Sequence, residues 1–217
     1  MIASVVIKGE ELLLLSAKAV YWPSAKLLLA ADLHLGKTTH FRKAGIAVPD
    51  QPATETLNRL KQTAELYDAE QIVIIGDLFH SDPNAEWQLF SEWHTKLNIP
   101  IRLITGNHDK LLFASQPQTD TELCGDELIV PPFVFQHHPN ETEDNRSYYR
   151  IAGHVHPGYS LRGKARQRLI LPCFCVEEHQ LILPAFGSFT GKEIIEPKAE
   201  ARYFVIAGNT VTEVPQV

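Results

Sequence analysis

IVIIGD, residues 72–77, sets four β-branched apolar side chains directly before a glycine and a carboxylate. A run without alternating polar positions suits sheet interior covered on both faces, as in a parallel α/β sheet. Two further runs share this form. Leu27 to Ala31 leads into Asp32-Leu33-His34, and Ile101 to Thr105 leads into Gly106-Asn107-His108-Asp109. Between the first two strands, Leu57, Leu60, Ala64 and Tyr67 recur at helical spacing behind an Asp50/Pro52 opening, which predicts a core-facing crossover helix. The next crossover repeats the pattern: Asp82 as cap, Pro83 at the first helical position, a Trp87, Phe90, Trp93, Leu97 stripe, and a stop at Asn98 and Pro100.

Beyond the third strand the texture changes. Phe133 to Gln136, Tyr149 to Ala152, Leu169 to Val176, Leu181 to Leu183 and Tyr203 to Ala207 are shorter apolar runs that predict sheet with few helices. The first half thus reads as βαβαβ and the second as β-rich, which points to two packed sheets with helices on the outside. The polar stretch Pro139 to Ser147 reads as a loop, with Glu141, Glu143 and Asp144 as solvated surface. There is no internal repeat or low-complexity segment.

Composition narrows the class. A chain of 217 residues, 44% hydrophobic and 21% charged, fits one globular domain over 1–217. Lys+Arg at 20 against Asp+Glu at 26 gives a net charge of -6, so no overall positive field draws nucleic acid or anionic lipid, and a phosphate-bearing substrate must be attracted locally. Leu12 to Leu15 follow Glu10 and Glu11 and are too few to span a bilayer or act as a secretory signal. A soluble protein without a membrane partner is expected. The three cysteines, Cys124, Cys173 and Cys175, show neither disulfide nor zinc-ribbon spacing, which fits a reducing cytoplasm. Cys173 and Cys175 flank Phe174 on one side of a strand and read as small buried hydrophobes rather than half of a metal site.

The chemistry-bearing residues stand where the strands end. Asp32-Leu33-His34, Gly76-Asp77 and Gly106-Asn107-His108-Asp109 each follow a central strand, and His137-His138 and Gly153-His154-Val155-His156 follow strands of the second half. Loops at the carboxyl ends of such strands converge on one crevice. Alone, Asp-x-His is commonly incidental and Gly-Asp commonly a turn; five such sets in the same position relative to their strands point to a metal centre. Two close cations need a shared anionic oxygen, and Asp77 beside Gly76 is the natural bridge. Asp32 and His34 alternate around Leu33, and His154 and His156 around Val155, so on an extended chain each pair faces one ion. Mixed oxygen and imidazole donors suit manganese, iron, zinc or cobalt better than calcium.

These motifs resemble the calcineurin-like metallophosphoesterases, whose series is Asp-x-His, Gly-Asp, Gly-Asn-His-Asp/Glu, His and Gly-His-x-His. The resemblance implies an α/β fold, a four-layer sandwich of two mixed β-sheets flanked by helices. It implies that Asp32, His34, Asp77 and His156 hold one divalent ion and that Asp77, Asn107, His137 and His154 hold the other. His108 would be the general acid, with Asp109 orienting its imidazole. Two departures stand out: His80 occupies a place where many such enzymes carry a carboxylate, and His138 competes with His137 as the ligand.

A narrower resemblance is carried by "ADLHLGKTTHFRKAGIAVP", "IGDLFHS", "GHVHPGYSLRGKARQRLILPCF" and "LPAFGSFTG". These runs are similar to the bacterial ligase-associated DNA damage response endonuclease family. That similarity implies a DNA repair phosphodiesterase, with a DNA ligase or helicase as repair partners. The expected mechanism is in-line attack on phosphorus by a hydroxide bridging two metal ions, Mn2+ foremost, with His108 protonating the leaving group. Arg162, Lys164, Arg166 and Arg168 alternate and, on an extended ribbon, would form a basic ridge for a phosphate backbone; the alternative is a hairpin kept soluble by charge. Lys37, Arg42 and Lys43 could join the same rim. The same centre could also serve a phosphatase of small monoesters or phosphoproteins, and a non-catalytic scaffold ranks last because no ligand position is missing.

Overall fold

The computed structural model describes residues 2–37, 52–80, 85–107, 109, 121–140, 147–163, 167–188 and 190–215. The chain opens on three antiparallel strands that the sequence reading does not single out: β1 (Ala3–Ile7), β2 (Glu10–Leu14) and β3 (Ala19–Trp22). Their signal is weak because the two faces of β2 both meet apolar surface. Leu12 and Leu14 enter the core between the sheets, while Leu13 packs toward the helices, so the leucine run shows no alternation.

The three expected central strands follow as β4 (Leu27–Ala31), β5 (Gln71–Ile75) and β6 (Ile101–Ile104), parallel and adjacent, with β7 (Glu122–Leu123) beside β6. Helices α1 (Pro52–Leu66) and α2 (Ala85–Leu97) make the crossovers. Leu57, Leu60, Ala64, Trp87, Phe90 and Leu97 are buried against Leu28, Ala30, Ile72 and Ile74, as the helical spacing requires. Asn98, at a φ of 55°, takes the left-handed conformation that ends α2. Asp50, Asp82 and Pro83, the expected openings of these helices, lie outside the described residues.

The second sheet holds β8 (Glu127–Val130), β9 (Phe133–Gln136), β10 (Tyr149–Ala152), β11 (Pro157–Arg162), β12 (Arg168–Val176), β13 (Gln180–Ile182), β14 (Glu193–Ile194), β15 (Arg202–Ala207) and β16 (Thr210–Glu213). Its order is β14-β11-β12-β13-β10-β9-β8, with β15 on β12 and β16 on β15. β9, β10 and β13 run parallel, the hairpins antiparallel, so this sheet is mixed like the first.

The sheets close on one another over Leu12, Val20, Leu29, Val73 and Ile75 from the first and Phe135, Ile151, Phe174, Leu181 and Phe204 from the second. Trp22 meets Phe133 edge-on with ring centroids 4.8 Å apart across this interface. Both described helices cover the first sheet. Beyond the second sheet, Cys173, Cys175, Ile182, Tyr203 and Val205 form a separate apolar layer with Ala201 and Ile195. The two cysteines are buried, reduced and part of that packing. At the carboxyl end of β4 the sheets are stitched by an Ala31–Ala185 bridge and by the Phe186 N–H donating to the Ala31 carbonyl at 2.7 Å.

Candidate metal centre

The chain leaves β4 and β5 without separating. The N–H groups of Asp32, His34 and Leu35 donate to the carbonyls of Gly76, Asp77 and Leu78 at 3.2, 2.9 and 2.8 Å. Asp32, His34 and Asp77 nevertheless have φ of 55°, 48° and 47°, and His154 and His156 have 70° and 51°. The paired side chains therefore converge through left-handed residues past the strand ends, and not by alternation on an extended chain as the sequence suggested. Such backbone costs roughly 1–2 kcal/mol per residue and concentrates at functional sites.

Close approach explains the glycines in these motifs. A Cβ on Gly76 would lie 2.0 Å from His137 Nδ1, and one on Gly106 would lie 2.2 Å from Asp77 Oδ1. Each glycine thus leaves room for the candidate ligand of another motif.

The side chains that converge are mostly buried. Asp32 is 0% exposed, Asp77 4% and His137 2%, whereas His154 is exposed. Three groups of donor atoms lie within 4.8 Å of one another: Asp32, His34, His156; Asp32, Asp77, His137; and His137, His138, His154. They overlap through Asp32 and His137 and so form one continuous string. Asp77 Oδ2 stands between its ends, 4.0 Å from His34 Nε2 and 3.6 Å from His137 Nε2.

The donor set fits cations. Asp32 Oδ2 accepts from the His154 N–H at 2.8 Å, but buried Oδ1 has no hydrogen-bond partner among the described residues, although His156 Nε2 and His137 Nδ1 lie 3.5 and 3.7 Å away. A buried anionic oxygen without a donor is costly, and a metal relieves that cost. His34 Nε2 and His156 Nε2 are 3.2 Å apart, and His154 Nδ1 and His137 Nε2 are 3.1 Å apart. Two nitrogens each about 2.1 Å from one ion, roughly at right angles, would stand about 3 Å apart. Burial and then His137 lower the His154 pKa, which favours the neutral imidazole that metals take.

Asn107 and His138 occupy the outer edge, with His138 Nε2 3.0 Å from Asn107 Oδ1. His137 is the buried member of the histidine pair and stands between Asp32, Asp77 and His154. Asp109, expected beside His108, is fully buried and accepts from the N–H groups of Leu78 at 3.1 Å, Phe79 at 3.4 Å and Gly106 at 2.9 Å. It ties the loop after β5 to the loop after β6. Burial pushes its carboxyl up to about 6 against the pull of the Gly106 N–H. His108 itself lies outside the described residues. His80 is brought near the centre, its ring 5.5 Å from that of His34.

The basic ridge takes a different form. Arg162 ends β11 and pairs with Arg168 at the start of β12, so the two face each other across a hairpin whose Gly163 N–H donates to Gln167 O at 2.9 Å. Arg162, at the base of this tip, is roughly 20 Å along β11 from His156, at about 3.3 Å per residue. Lys164, Arg166, Arg42 and Lys43 lie outside the described residues. Sequence reasoning gave no role to Ala185–Gly187, whose Gly187 N–H donates to the Asp32 carbonyl at 3.1 Å; its only signal was the resemblance carried by LPAFGSFTG.

Comparison with known proteins agrees with this geometry. The chain matches the family described as calcineurin-like phosphoesterase over residues 25–170, more than half its length. Among solved structures it is similar to the Pseudomonas putida nuclease MPE, with 32% sequence identity, a TM-score of 0.80, and coverage of 99% of this chain and 100% of that one. No curated protein matches. No helix among the described residues is long and apolar enough to cross a membrane. With a family match spanning strands of both sheets and all the converging donors, this chain belongs to the calcineurin-like phosphoesterases, metal-dependent hydrolases of phosphoester bonds.

Proposed function

We propose that the protein is a two-metal phosphodiesterase that cuts DNA internally and serves DNA repair in the cytoplasm. The observation that carries this reading is the string of overlapping donor groups, long enough for two ions and sharing Asp32 and His137. The structural likeness to a nuclease over the full chain supports a nucleic acid substrate. Asp32, His34, Asp77 and His156 would hold one ion, and Asp77, Asn107, His137 and His154 would hold the other, with manganese foremost among manganese, iron, zinc and cobalt. Divalent cations bound there supply Lewis acidity, lowering the pKa of water and neutralising charge on the phosphoryl oxygens.

The chain's own residues set the geometry. Asp77 places one carboxylate between His34 and His137, and the buried Asp32 and Asp77 keep their charge in a low dielectric where its attraction for cations is strong. Asp109 is a positioning residue that fixes Gly106, and with it the start of the loop carrying Asn107 and His108. His108 gives its proton to the leaving oxygen. A DNA ligase or helicase would be a fitting repair partner.

Hydrolysis of bis(p-nitrophenyl) phosphate, p-nitrophenyl phosphate, and single- and double-stranded DNA, each with manganese and with chelator, tests the proposal. Metal-dependent cleavage of the diester and of DNA is expected. A strong preference for the monoester with intact DNA would overturn it in favour of a phosphatase. His108→Ala is expected to keep its metal yet lose roughly 100-fold in kcat on diesters with basic leaving groups; wild-type rates would remove His108 from the mechanism.

A further inference from the structure

Ala185, Phe186 and Gly187 lie against the end of β4 and, among the described residues, supply no donor to the metal centre. Instead they gather cations. Arg59 of α1 sits over the Phe186 ring, 4.4 Å from its centroid, donates to the Phe186 carbonyl, and reaches Ser188 Oγ at 3.2 Å. Its buried Nε has no hydrogen-bond partner among the described residues. Lys18, from the turn between β2 and β3, donates to the Gly187 carbonyl at 3.3 Å. Burial, Arg59 and Lys192 together push the Lys18 ammonium down to about 8.

Among the described residues no carboxylate forms an ion pair with Lys18, Arg59 or Lys192. Glu55, exposed one turn before Arg59, acts on it only at longer range. Lys18 and Arg59 meet on one turn, both partly withdrawn from water, and with Lys192 near enough to act on Lys18 they repel one another and lack the counter-charge that such an arrangement calls for. Ser188 is exposed, so the turn is open to an arriving anion.

The position is informative. Gly187, Ser188 and Thr190 line a narrow cleft together with His34, Lys37 and Thr56. The Lys37 ammonium feels both Asp32 and Asp77. The cationic turn therefore adjoins the His34 side of the metal centre. On the His138 and His154 side, a cleft of about 810 Å³ carries Glu177, Glu193 and Glu196, which disfavour phosphate there.

We propose that the Gly187–Ser188 turn, with Arg59, Lys18 and Lys192, seats a second phosphate of a polynucleotide, next along the strand from the one hydrolysed. This rests on the phosphodiesterase reading and specifies its substrate as a chain with at least two phosphates. Non-bridging oxygens take hydrogen bonds from the exposed Ser188 hydroxyl and the Lys192 ammonium, with Lys18 and the Arg59 guanidinium adding positive charge behind the turn, and no covalent step occurs there.

The test uses the full-length protein, a fluorescein-labelled single-stranded DNA 12-mer, and the variants Arg59→Gln, Lys18→Met and Lys192→Ala. Anisotropy in chelator reads binding, and hydrolysis with manganese reads kcat/KM on the 12-mer and on bis(p-nitrophenyl) phosphate, which has a single phosphate. Each variant is expected to bind DNA about fivefold to tenfold more weakly, with a salt slope lower by about one. The ratio of DNA to bis-aryl kcat/KM should fall by a similar factor. Unchanged DNA binding, or equal losses on both substrates, would overturn the seat. Lys192→Ala, at an exposed position, decides the matter if Arg59→Gln does not fold. If the wild-type protein hydrolyses neither substrate, the phosphodiesterase reading fails, and the anisotropy in chelator still judges the seat separately.

Discussion

The two sheets meet at one site but bring different materials to it. The first contributes a floor of two buried carboxylates, Asp32 and Asp77, on loops that stay paired beyond β4 and β5 and are braced by the buried Asp109 through backbone N–H groups. The second contributes a rim of imidazoles that grows more open from His137 through His156 to His154. Buried anions attract cations strongly because little water screens them, whereas exposed imidazoles adjust the fit and can be replaced by water. The contrast implies that the floor decides whether metal binds and the rim decides how tightly.

The sharpest way to break this contrast is Asp77→Ala, which should lower diester hydrolysis by roughly a thousandfold without rescue by excess manganese. Recovery at high metal would make Asp77 equivalent to a rim residue. His156→Ala should raise the manganese needed for half-maximal activity about 10–100-fold, with most of the rate restored at saturation. A rate that stays low at saturating manganese would move His156 from the rim to the floor. Asp109→Asn faces three N–H donors with a poorer acceptor and should destabilise the protein by about 1–3 kcal/mol in urea titration; an unchanged midpoint would deny Asp109 its bracing role.

The smallest effect concerns Lys18. Its folded pKa lies below the ordinary lysine value of 10.5, so the charged form burdens the fold at neutral pH. Wild-type stability should therefore rise relative to Lys18→Met as pH increases from about 8 to 10.5, by about 1 kcal/mol after screening. A pH-independent difference would show that Lys18 is no more withdrawn from water than a surface lysine.

Legibility in the sequence followed the physics of burial. β4, β5 and β6 could be read because strands covered on both faces lose alternation, and α1 and α2 because their stripes face a sheet. The converging set was legible because Asp, His and Gly after apolar runs have few other reasons to be there. β1, β11 and β16 were not, since short strands of mixed exposure resemble loops. The left-handed backbone at Asp32, His34 and Asp77 was also invisible, because Asp and His tolerate that conformation without announcing it. The Arg162 to Arg168 stretch left a basic ridge and a charged hairpin both open, because alternation alone does not show a turn, and the pairing of Arg162 with Arg168 gives the hairpin. Lys18 and Arg59 lay far from Gly187 in the chain, and no local pattern joins them.

The ladder that carries Asp32, His34 and Leu35 past the end of β4 has one more consequence. The spacing of Asp32 and His34 against Asp77 is set by these peptide hydrogen bonds. One transition metal can then be swapped for another without refolding, and the cradle imposes little preference beyond donor type. Protein purified from cells should carry whichever suitable ion the growth medium made abundant, so that elemental content tracks culture conditions while the melting curve of the stripped protein stays the same.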